Sequence, residues 1–128
     1  MPKKVFKVAP MPKPRMTRAD RWKKRPIVEK YWAYKDAIRE EQGPFRFPHS
    51  GASVVFYMPI PKSWSKKKKA AALDSPHQKV KSCDIDNLLK ALWDALIWDE
   101  GDDDGMIWDI RGCSKVYSDN PRIEVTYS

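Results

Sequence analysis

Cysteine is scarce in this chain of 128 residues: Cys83 and Cys113 are the two, and they form no CxxC pair. That excludes a disulfide-stapled secreted scaffold and fits a reducing, cytoplasmic setting. Histidine is equally thin. His49 and His77 lie far apart without a partnered nucleophile, so a hydrolytic triad is not expected. Together with the cysteines they match no recognised zinc-ligand spacing. The five glycines build no phosphate-cradling loop. No run of 18 apolar residues occurs, so no membrane-spanning helix is expected. The opening MPKKVFKVAP is charged and lacks an apolar stretch, which argues against a secretory signal. Internal repeats and linkers are absent, and the length suits one domain over 1–128.

Charge and aromatics are what the chain has in quantity. Six tryptophans and 41% apolar residues exclude a disordered chain. The formal net charge is +8, which suits a polyanionic partner. Its distribution is more informative. Residues 1–35 hold twelve Lys and Arg against two acids, and 62–81 hold seven lysines against Asp74. Residues 84–109 then hold nine acids against Lys90 alone. Such a block repels the phosphates that the flanks attract, unless a cation sits among the acids.

The elements follow from periodicity. Residues 3–9 suggest a short edge strand, and Pro10, Pro12 and Pro14 open a basic loop. Pro26 suits the first position of a helix over 27–42 that Gly43-Pro44 ends, with Ile27, Tyr31, Tyr34 and Ile38 on its buried face. Residues 51–58 suggest a buried strand stopped by Pro59 and Pro61. Residues 63–73 suggest a short surface helix capped by Ser63 or Ser65, followed by a polar loop over 74–82. The strongest helix is 84–98, with Leu88, Leu89, Leu92, Trp93, Leu96 and Ile97 as its apolar stripe. Residues 106–118 and 121–128 alternate as strands expected to pair around Asp119-Asn120. The expected class is α+β: a small mixed or antiparallel sheet with two main helices packed on it.

Chemistry concentrates at the start of the strongest helix. If the backbone there is extended, Asp84 and Asp86 lie on the same side, as residues i and i+2 do. Hard divalent ions such as Mg²⁺ take carboxylate oxygens in this way, with water and substrate phosphate completing the shell. Lys90 follows Asp86 by four residues, one helical turn on, where it can meet a phosphate. Asp103 and Asp104 can supply a further ligand. Simpler roles exist for the same residues: Asp86 is a natural N-cap, and Asp84 complements the helix dipole. A calcium loop does not fit, because a glycine at Gly105 puts Arg111 where the bidentate Glu belongs.

Two basic stretches suit DNA phosphates. Lys13, Arg15, Arg18, Arg21, Lys23, Lys24 and Arg25 crowd the Pro-rich loop around Trp22, and Lys66, Lys67, Lys68 and Lys69 follow Trp64. Each tryptophan there can stack or wedge against bases. Trp93, Trp98 and Trp108 suit the core or a subunit interface instead.

The run Asp84-Ile85-Asp86-Asn87-Leu88-Leu89-Lys90-Ala91-Leu92-Trp93-Asp94-Ala95-Leu96 resembles the DxDNLxKAxxDAL segment of the RusA family of Holliday-junction resolvases, common in phages and prophages. Asp103-Asp104-Gly105-Met106-Ile107 resembles the family's Asp-Asp strand start. Pro12 to Arg18 and Ser63 to Lys68 also fit its phage members. The resemblance implies metal ligands at Asp84, Asp86 and Asp104, assisted by Asp103, and an essential lysine at Lys90. Asp84, Asp86, Lys90 and Asp104 are then the catalytic set. It further implies Mg²⁺, with Mn²⁺ as a substitute, and a homodimer that nicks two strands of a four-way DNA junction symmetrically in recombination and repair. Asp99, Glu100 and Asp102 crowd the acidic turn, which leaves the third ligand open among Asp102, Asp103 and Asp104. Gly105-Met106 also departs from the small-polar pair usual after the two aspartates. The rival reading is a non-catalytic nucleic-acid binder that uses the basic stretches alone.

Overall fold

The computed structural model describes residues 2–15, 26–75, 77, 84–97 and 104–127. Its elements run β1 (Lys3–Phe6), α1 (Pro26–Gln42), β2 (Ala52–Pro59), α2 (Lys66–Asp74), α3 (Ile85–Leu96), a 3-10 turn (Asp104–Met106), β3 (Ile110–Ser118) and β4 (Arg122–Thr126). The sheet is mixed and four-stranded in the order β1-β4-β2-β3. β4 runs antiparallel to both β1 and β2, whereas β3 runs parallel to β2. The α+β class therefore stands.

The expected pairing of the last two strands does not occur. β3 and β4 are separated by β2, so Asp119, Asn120 and Pro121 carry the chain across the end of that strand. Two strand spacings amount to about 10 Å, which a short extended link can bridge. Burial explains the order. Ile123 and Val125 of β4 are fully buried and suit a central strand. β3 is half-buried along nearly its whole length and carries Lys115 in register with the buried Phe56, as suits an edge.

Alternation along β2 sets the core. Ala52, Val54, Phe56 and Met58 point to one face and meet Tyr31, Tyr34 and Ile38 of α1 and Leu88, Leu92 and Leu96 of α3. α1 and α3 are locked at their ends. Gln42, buried, donates to the carbonyls of Phe45 (2.9 Å) and Leu96 (3.1 Å). Arg39 donates to the carbonyls of Ala95 (2.9 Å) and Asp94 (3.2 Å), which satisfies the last turn of α3. Gly43 takes φ of +54° just past α1, a conformation open to glycine at little cost.

Several local expectations need correction. Ile27 is 42% exposed, and Val28 is buried in its place. Periodicity sets the direction of a side chain, not whether anything stands opposite it in a first turn. Ser65, not Ser63, caps α2, accepting from the Lys68 N–H at 3.2 Å. The N-cap of α3 is Asp84, and Asp86 falls inside the first turn. β3 begins at Ile110, so Trp108 precedes the strand, and at 77% exposed it is no core residue. His77, within the expected polar loop, bridges to Val116 of β3. Trp22, Cys83 and Trp98 lie outside the described residues. Cys113 is free and half-buried, and burial pushes its thiol up to about 11. No helix among the described residues is long and apolar enough to cross a membrane.

Candidate nuclease site

The start of α3 is the centre of the arrangement. Asp84 holds extended backbone (φ −70°, ψ 142°), and its carbonyl accepts the Leu88 N–H at 3.0 Å. Its carboxylate makes no capping hydrogen bond, so it is not committed to the helix. Asp86 lies one residue inside the first turn and meets Lys90 Nζ at 3.2 Å. The pair thus straddles a helix boundary; it does not lie on a common extended segment. Both partners of the Asp86–Lys90 pair are more than half exposed, so the pair contributes at most about 1 kcal/mol to folding.

Among the described residues, no group of three or more His, Cys, Asp or Glu is gathered to hold a metal. The donor set itself suits one. Two exposed carboxylates two residues apart, one of them not spent on capping the helix, are what a hard oxygen-seeking cation takes from a protein when substrate and water complete its shell. Asp102 and Asp103 lie outside the described residues. The backbone of Asp104 opens the 3-10 turn that leads toward β3.

The basic Pro-rich loop crosses the same helix. The Lys13 N–H donates to the Asn87 carbonyl at 3.1 Å, while Pro10 is buried and Val8 and Met11 pack against the core. The backbone of Lys13 is thereby carried to the first turn of α3, and its ammonium lies 4.0 Å from Asp94 further along the helix. Arg18, Arg21, Lys23, Lys24 and Arg25 lie outside the described residues. Lys66, Lys67, Lys68 and Lys69 form the first turn of α2, which places them on a different element. Lys68 Nζ sits 4.2 Å over the Trp64 ring, and that ring meets Tyr117 edge-on at 5.3 Å. Trp64 is thus engaged within the protein, against the expectation that it stacks on bases.

Two acids have roles that composition alone does not show. Asp94, one turn beyond Lys90, accepts from the Tyr31 hydroxyl at 2.6 Å, and Lys35 and Lys13 lie 3.6 and 4.0 Å away. Burial alone would raise its carboxyl, but the Tyr31 hydrogen bond and the two ammonium groups hold it below the usual carboxylate value. Burial and the neighbouring carboxylate push the Tyr31 hydroxyl far above its ordinary value, so it stays a donor. Asp94 therefore ties α1, α3 and the basic loop together. Asp109 accepts from Ser50 Oγ and the Gly51 N–H, each at 3.1 Å, and pins the turn before β2. Neither role has a local signal in the chain, because each depends on partners more than fifty residues away.

The family model described as "Endodeoxyribonuclease RusA" matches residues 6–127, nearly the whole chain. The protein named "Uncharacterized protein YqaN" of Bacillus subtilis (strain 168) is similar at 40% identity over 74 residues, covering 56% of this chain and 51% of that protein. The chain thus spans about half the length of that curated relative. No solved structure matches. The carboxylates and lysine at one helix start lie within the span of that family model, and the chain belongs to the RusA endodeoxyribonuclease family.

Proposed function

We propose that this protein is a divalent-metal-dependent endodeoxyribonuclease that resolves four-way DNA junctions by paired, symmetric nicks, acting as a homodimer. One observation carries the reading: the Asp84 carboxylate, not spent on capping, and the Asp86–Lys90 pair share the first turns of α3, where the basic loop is tied down at Asn87.

Asp84 and Asp86 would hold the cation, with one of Asp102, Asp103 and Asp104 as the further ligand. When bound there, a divalent ion would supply charge neutralisation at the phosphodiester and a more acidic water for hydrolysis. Lys90, held by Asp86, presents its ammonium to a non-bridging phosphate oxygen and stabilises the charge that develops on it. Lys13 and Arg15 bind the flanking backbone, and Lys66 to Lys69 extend that contact. A homodimer matches the task, because two opposed strands require two sites related by a two-fold axis.

The test is cleavage of an end-labelled synthetic four-way junction in Mg²⁺ by wild type, Asp84→Asn and Asp86→Asn. Wild type is expected to give paired symmetric nicks. Each variant is expected to cut at least about a hundredfold more slowly while still binding the junction. Binding without cleavage by wild type, across Mg²⁺ and Mn²⁺, would overturn the reading in favour of a non-catalytic binder.

A further inference from the structure

Trp108 is 77% exposed, the most exposed of the large apolar side chains among the described residues, and Met106 beside it is 48% exposed. Between them, Ile107 packs against the core. The backbone beneath the indole is fixed. The Trp108 N–H donates to the His49 carbonyl at 3.0 Å. The next residue, Asp109, is held by Ser50 Oγ and the Gly51 N–H. Arg111, largely exposed, follows with its guanidinium 3.8 Å from the same Asp109 carboxylate. A large aromatic face is therefore presented to solvent from a rigid mount, with a cation close by in the chain. Exposing an indole costs stability that its neighbours do not recover.

Its position narrows the occupant. Trp108 is four positions from Asp104, so their Cα atoms are at most about 14 Å apart, and less because the 3-10 turn shortens the path. That distance spans only a few nucleotides of a strand. One indole offers about 150–250 Å², a fraction of the about 800 Å² per partner that a stable interface needs, so Trp108 by itself does not make one. One aromatic face does match the size of one base. Trp108 itself lies at the end of the acidic stretch 84–109, so the attraction for a polyanion comes from the basic flanks and from Arg111, which Asp109 shares and which can take a phosphate beside the stacked base.

We infer that Trp108 is a stacking platform for a base exposed at the branch point of the DNA substrate, a positioning residue that sets which strand reaches the site. The inference rests on the nuclease reading above and adds a specificity element to it. Because the mount is already ordered, stacking on it costs little conformational entropy. Stacking neutralises no phosphate, so it changes affinity without changing the salt dependence.

The experiment compares wild type, Trp108→Phe, Trp108→Leu and Trp108→Ala. The probe is a four-way junction with 2-aminopurine at the branch, with a linear duplex of the same arms as control. Binding is read in EDTA, cleavage in Mg²⁺ and mass by sedimentation. Expected results are junction affinity about tenfold or more weaker for Ala and Leu, near-wild-type affinity for Phe, and an unchanged salt slope. Duplex binding should move little, and the 2-aminopurine quench should be lost in Ala and Leu alone. Wild-type cleavage with unchanged binding by Trp108→Ala would overturn this inference and leave the nuclease reading intact. So would a loss of binding in Ala that Leu restores, or one that tracks a fall in mass. Wild type that neither binds nor cuts the junction would overturn both.

Discussion

Asp94 shows how one carboxylate can organise a site without touching its chemistry. Tyr31 is fully buried, and its hydroxyl donates to Asp94. Tyr31→Phe keeps the packing and removes the donor. It is expected to cost about 1–2 kcal/mol in urea unfolding. The pH dependence follows from the direction of the shift. A carboxyl lowered in the folded chain stabilises fully above the ordinary carboxylate value of about 4, and that stability is lost as pH falls through the folded value. Glu124 acts in the same sense: the hydrogen bond from Lys3 holds it down against the cost of burial, and Arg122 at 2.6 Å helps. Urea midpoints between pH 2 and 7 should therefore fall below about pH 4. Asp94→Asn should be less stable at pH 7 and should show a flatter acid limb. An acid limb identical to wild type would mean that Asp94 is not shifted.

The helices differ in how much they contribute. α3 buries Leu88, Ala91, Leu92, Ala95 and Leu96, so Leu92→Ala is expected to cost about 2–5 kcal/mol globally. α2 buries only Ala72. Losing its cap in Ser65→Ala should cost about 1 kcal/mol locally. Amide exchange in the first turn of α2 should quicken while the urea midpoint stays put. A global loss instead would mean that α2 is integral to the folding unit. This division suits the proposed work: the helix that carries the carboxylates is anchored, and the lysine-bearing helix rides on the edge beside β3.

For the molecule as a whole, the +8 charge sets how binding responds to salt. Each phosphate that is no longer neutralised should lower the slope of log affinity against log salt by about 0.9. Replacing Lys66, Lys67 and Lys69 by Ala spares Lys68, which covers Trp64. Junction binding measured from about 50 to 300 mM salt should then show a slope shallower by roughly one to three, with cleavage of the bound junction retained. An unchanged slope would place the α2 lysines off the DNA path. Lys13 is predicted to behave differently, because its ammonium also faces Asp94 at 4.0 Å: Lys13→Ala keeps the backbone bond to Asn87 but should lower the urea midpoint as well as the salt slope.

Much of this protein is local in origin. The α+β class, the span of α1, the apolar stripe of α3 and the Asp86–Lys90 pair all follow from periodicity and from residues within one helical turn of each other. The family was legible as well, because its central motif over 84–96 is one uninterrupted stretch. What the sequence by itself left undecided was everything that depends on distant partners. Whether β3 pairs with β4 or with β2 was settled by which strand could bury Ile123 and Val125 on a shared face and which could keep Lys115 at an edge. Asp94 and Asp109 became structural ties only when α1 and the turn before β2 arrived beside them. Trp108 has the composition of a core residue. It is exposed because the tertiary structure holds its backbone against His49 and leaves 77% of the residue to solvent. Local pattern sets the direction of a side chain, and only the assembled chain sets what it meets.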